Sequence, residues 1–120
     1  MGTAYEVPGL NHTFNANADL SSYQYRGVKL NSNKRVVLAS TGDRILGVLQ
    51  DAPTAQDRSC MVMLEGISQA IGGEAFDAGD YLEMDSVGRF VALDSGQLAG
   101  VALTTCGGAG ERFAVHIRGN

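Results

Sequence analysis

The chain matches itself when displaced by slightly under half its length, and a self-match of this kind constrains architecture before any single residue is interpreted. A displacement of 54 sets Val28-Lys29-Leu30-Asn31-Ser32 over Leu82-Glu83-Met84-Asp85-Ser86, Arg35-Val36-Val37 over Arg89-Phe90-Val91, and Gly42 over Gly96. With one residue deleted, a displacement of 53 sets Gly47-Val48 over Gly100-Val101, and Val62-Met63-Leu64-Glu65-Gly66 over Val115-His116-Ile117-Arg118-Gly119. Apolar, polar and turn-forming classes coincide along both alignments. The expectation is two tandem pseudo-repeats, about 25–66 and 79–119, inside a single domain over 23–120.

Within each repeat the hydrophobic period is two. Phe113, Val115 and Ile117 interleave with Arg112, His116 and Arg118, so a strand here buries one face and wets the other. Its mate buries Cys60, Val62 and Leu64, and Val62 and Val115 should then hold matching places in one shared interior. That register turns Met61 and Met63 away from the interior and makes them candidates for a subunit interface, a second buried face being the alternative. Further strands are expected at about 23–30, 34–39, 44–50, 58–64, 67–71, 80–84, 89–93, 98–104 and 111–117. Turns such as Asn31-Ser32-Asn33, Thr41-Gly42-Asp43 and Gly107-Gly108-Ala109-Gly110 separate them. With 16 glycines, 2 prolines and a length that suits one core, the fold class is all-β.

Residues 1–22 lie outside the self-match. Their apolar side chains, Tyr5, Val7, Leu10, Phe14 and Leu20, are scattered among Asn, Ala, Gly and Ser. Isolated anchors on an extended segment suit strand addition to a neighbouring surface, so the segment reads as an N-terminal arm. A frayed terminus, or a strand laid on its own domain, is the plainer alternative. On the arm reading, deleting residues 2–20 leaves the body folded.

Chemistry is sparse. Two histidines, His12 and His116, are the only imidazole bases, and neither sits in a nucleophile–base pattern, so no catalytic residue is assigned and the chain is not read as an enzyme. Cys106-Gly107-Gly108-Ala109-Gly110 lacks the Lys-Ser/Thr ending of a phosphate loop. Glu74, Asp77, Asp80, Glu83 and Asp85 miss the spacing of a calcium loop, with Glu83 expected on the wet side of a strand. Cys60 and Cys106 match no metal spacing, so neither a metal nor a cofactor is called for. A net charge of −4 with scattered basic residues argues against nucleic acid. Cys60-Met61-Val62-Met63-Leu64, the longest strictly apolar run, is far short of a membrane span.

Several strings in order resemble the small phage head decoration, or capsid cement, proteins. They are Gly47-Val48-Leu49 with Pro53, Ala78-Gly79-Asp80-Tyr81-Leu82, Asp85-Ser86-Val87-Gly88-Arg89 and Gly100-Val101-Ala102-Leu103, and the likeness covers about residues 20–119. The resemblance implies a β-tulip or β-clip-like barrel and a homotrimer that binds the major capsid protein at threefold or quasi-threefold sites. It also implies a place on the capsid exterior of a virion assembled in the host cytoplasm, and an arm that reaches the shell. The arm here carries no family signature. Two other readings remain open: a small β binding or carrier module modified at Lys34, and another head or tail subunit such as a fibre base.

Overall fold

The computed structural model describes residues 7–118; Tyr5 of the expected arm lies outside them. Among the described residues every regular element is a strand: β1 (Val7–Ala16), β2 (Gly27–Leu30), β3 (Arg35–Leu38), β4 (Gly47–Leu49), β5 (Ser59–Ile71), β6 (Tyr81–Met84), β7 (Phe90–Ala92), β8 (Gly100–Ala102) and β9 (Arg112–Ile117). The fold is all-β. One sheet runs β1-β3-β2-β4-β5-β9-β8-β6-β7, and β1 also pairs with β5. The N-terminal half therefore closes into a five-stranded ring, β1-β3-β2-β4-β5. The C-terminal half runs β5-β9-β8-β6-β7 and is closed by a parallel bridge between Gly72 and Phe90.

The two halves pair in the same register. Val28 opposes Leu38, and 54 residues on Leu82 opposes Ala92; Leu30 opposes Val36, and Met84 opposes Phe90. Gly27 opposes Val48 as Tyr81 opposes Val101, and Leu49 opposes Val62 as Ala102 opposes Val115. Turn chemistry matches too. Asn31 Oδ1 accepts from the amides of Asn33 and Arg35, and Asp85 Oδ1 accepts from those of Val87 and Arg89. Each is a side chain substituting for backbone at the start of a hairpin.

The equivalence extends into the segment expected to be an arm. β1 pairs antiparallel with the first part of β5, Phe14 opposite Cys60 and His12 opposite Val62, while the second part of β5 sets Ala70 opposite Phe113 and Ser68 opposite Val115. At β1's far end Ala16 bridges Val36 in parallel, as Gly72 bridges Phe90. Beyond it Leu20 N donates to Pro53 O, as Phe76 N donates to Cys106 O. Residues 7–16 are thus a stave of the first ring instead of a free arm. The reason lies in the backbone: without β1, one edge of β5 and of β3 would expose unpaired amides and carbonyls.

β5 belongs to both rings. The expected break between 64 and 67 is a bend inside one 13-residue strand, at Gly66 with φ 124°. Gly66 lies against Gly9 so closely that a Cβ on Gly9 would meet the Gly66 Cα at 2.8 Å.

Val62 and Val115 hold matching places, but in two interiors instead of one. Val62 packs with Val28, Val36, Leu49 and Cys60, and Val115 with Leu82, Phe90, Ala102 and Phe113. The second interior is the more aromatic, with Phe76 and Phe90 edge-on to Phe113 at centroid distances of 4.8 and 5.7 Å. Such contacts add to area burial.

Candidate functional site

Each ring leaves an outer face, and apolar side chains on those faces are the natural place to look for a binding surface. Among the described residues the large exposed apolar side chains are Leu10, Leu30, Met61, Tyr81 and Leu93. Tyr81 and Leu93 are brought together: Leu93 N donates to Tyr81 O, so the two side chains stand opposite each other on neighbouring strands. The same cross-sheet row continues through Val101, His116 and Ile67. Tyr81 is 57% exposed, and His116 is also exposed.

Of the expected arm anchors, Leu10 is exposed, Phe14 is half-buried against the first interior, and Leu20 is buried within it. Phe14 also stacks with the His12 ring at 4.8 Å. Val7 pairs with Ile67 through the backbone. Leu20 contributes to its own ring, which corrects the reading of it as a surface anchor. The two methionines separate. Met61 is exposed, but Met63 is 2% exposed and packs with Val48 in the second interior, so the expectation that both turn outward is corrected. β5 has two apolar faces at this point because each of its sides meets a different ring.

Glu83, expected to be wet, is buried, and its carboxylate accepts from Gly96 N. That bond ties down the loop after β7, the same duty that the Lys29–Asp43 pair performs for the loop after β3. Lys34, which a carrier module would modify, is exposed at the β2–β3 turn. Cys60 and Cys106 are both buried and unlinked. Burial, with the Asp51 charge adding to it, pushes the Cys60 thiol up to about 11.

A shallow groove of about 630 Å³ runs along the seam between the rings, with Arg44, Leu64, Glu65, His116 and Arg118 on its walls. It mixes both signs of charge and opens to solvent, which suits contact with another surface better than enclosure of a small molecule. Among the described residues no group of three or more His, Cys, Asp or Glu is placed to hold a metal ion. No helix long and apolar enough to cross a membrane is present among them.

The Tyr81–Leu93 row was missed in the sequence. The displacement of 54 contained its signal, since it sets Tyr81 over Gly27 and Leu93 over Ala39, a large side chain over a small one each time.

Comparison with known proteins agrees with this architecture. No curated protein matches the chain in sequence. Among solved structures, the head fiber gp8.5 N base of bacteriophage phi29 is similar, with a TM-score of 0.73 over 91% of this chain and 93% of that one at 18% identity. That likeness is one of fold. The family model for phage cement proteins matches residues 9–118, from β1 to the end of β9 and so through both rings, and the chain belongs to that family.

Proposed function

We propose that the chain binds the outer surface of an assembled phage capsid and stabilises the shell, as a homotrimer at threefold or quasi-threefold positions. The observation that carries this reading is the cement-family match across both rings. A phage structural protein of this kind resists an outward load by spanning several shell subunits. A double ring with backbone pairing on nearly every strand suits that duty, since it deforms little under load. The major capsid protein is the partner, and the virion exterior, reached after folding in the host cytoplasm, is the location. No chemical step is assigned.

Leu10 is the exposed apolar residue on β1 assigned here to the shell side, and Met61, exposed on β5, is kept as a candidate for a subunit contact. Tyr5 and Val7 are kept with Leu10 in the proposed contact, whereas Phe14 and Leu20 act by holding β1 in place. Several such contacts tied to one body hold far better than each alone, because release of one leaves it at high local concentration.

The test is sedimentation of purified protein with expanded shells of its own phage. Protein in the pellet at a fixed ratio to capsid subunits is expected; protein left in the supernatant at saturating shell concentration overturns the reading. The fold shared with a head fiber base favours a second reading, a seat for a fibre. It predicts the same pelleting, but with a fibre protein retained only when this chain is present.

A further inference from the structure

The halves match in register, yet they are not packed on each other symmetrically. The C-terminal half lays its β6–β7 turn on the outer face of the N-terminal half. Gly27 N donates to Gly88 O at 2.8 Å, Arg26 Nη1 to the Val87 carbonyl at 3.0 Å, and Gly42 N to Met84 O at 3.0 Å. Met84 shares a buried cluster with Ala39, Val48 and Met63 of that face. Glycine at both contact points lets the backbones approach: a Cβ on Gly88 would come within 2.6 Å of Leu38 Cδ1, and one on Gly27 would overlap the Met84 sulfur.

The reverse contact is not made. The equivalent turn, β2–β3 with Leu30 and Lys34, is exposed, and on the equivalent face Leu93, Tyr81 and His116 are exposed around a half-buried Val101. Leu30 is 39% exposed where Met84 is fully buried, and Leu93 is 37% exposed where Ala39 is 1%. His116 is exposed where Met63 is buried, and Tyr81 stands where buried Gly27 does. Three of the five large exposed apolar residues therefore occupy positions whose mates are covered by the half-to-half contact. Each chain uses one turn and one face internally and leaves one of each bare.

We propose that the bare β2–β3 turn of one chain docks on the Tyr81–Leu93 row of a second copy, head to tail. This repeats between chains the contact that joins the halves within one. It deepens the homotrimer reading above by naming the surfaces, and it does not depend on shell binding. Heterologous contacts of this kind close into rings when the rotation permits. A trimer would contain six such contacts, three within chains and three between them. The intermolecular contact is wider than the internal one, because Tyr81 and Lys34 stand where Gly27 and Gly88 touch. An ammonium against an aromatic face fills that space favourably. Exposed Asp94 beside Leu93 gives the row a charge opposite to that of Lys34.

Sedimentation velocity over a wide concentration range tests this. Wild-type protein should assemble, and Leu30→Asp and Tyr81→Asp should each stay monomeric at concentrations at least tenfold higher. An equimolar mixture of these two variants should give a one-to-one dimer that grows no further, since the first keeps an intact face and the second an intact turn. Both positions are exposed, and a cooperative melting transition in each variant establishes that it folds. Lys34→Glu with Leu93→Asp forms a second pair that must behave alike. A wild-type chain that stays monomeric, single variants that assemble like wild type, or a mixture that yields no dimer each overturns the proposal. Assembly through these residues without pelleting on shells would refute the shell reading and leave this one standing.

Discussion

Lys34 has φ 64° and its mate Gly88 has φ 73°; Tyr25 and Gly79, at 66° and 93°, and Asp57 and Gly110, at 65° and 84°, repeat the pattern. At three matching points the backbone of both halves demands a left-handed residue, and the C-terminal half meets the demand with glycine where the N-terminal half tolerates side-chain crowding. Lys34→Gly should therefore raise stability by about 0.5–1 kcal/mol. Urea unfolding in the Tyr81→Asp background, where no neighbour touches the turn, is the measurement. Asp43 is held below the usual carboxylate range, chiefly by the hydrogen bond from Lys29 Nζ at 2.6 Å. A carboxyl whose folded pKa is depressed contributes stability above its unfolded pKa and loses it as pH falls through the folded value. Asp43→Asn should cost about 0.5 kcal/mol at neutral pH, the pair being partly solvated, and nothing in strong acid. Cys60, pushed up to about 11, is protonated at neutral pH, and with Cys106 also buried neither thiol should react with a chromogenic disulfide until the protein is unfolded.

At the scale of elements, much was legible where side chains alone carry the signal. β9 follows from the alternation of Phe113, Val115 and Ile117 with Arg112, His116 and Arg118; those three apolar side chains are buried as that pattern requires, and Ala114 between them is buried as well. β1 was not legible, because it is held by backbone pairing to β5 and contributes few apolar side chains of its own. β5 was read as two strands because a glycine between apolar runs looks like a turn, whereas Gly66 bends the strand and keeps it paired on both sides. Removing residues 2–20 should consequently open the first ring and unfold the N-terminal half, seen as loss of amide protection in β3 and β5; retained protection there would restore the arm reading. Phe113→Ala should cost about 3–5 kcal/mol, the range for a fully buried aromatic, while Cys60→Ala at the matching place should cost much less.

The displacement of 54 aligns hairpins that pair in the same register, but the mutual orientation of the halves rests on pairs that no self-match can reveal, such as Gly27 with Gly88. Two rings sharing one strand form a body of 37 × 27 × 23 Å, with no joint at which the halves could separate without breaking β5. Bridging is what such a body does well, because load applied at one ring passes to the other through covalent chain and ladder together. On the proposed function, the decisive quantity is the strength of the shell itself. Calorimetry of expanded shells, with and without saturating protein, measures it directly. The shell-disruption transition should move to higher temperature in proportion to occupancy; protein that binds to full occupancy and leaves that transition where it was overturns the shell reading.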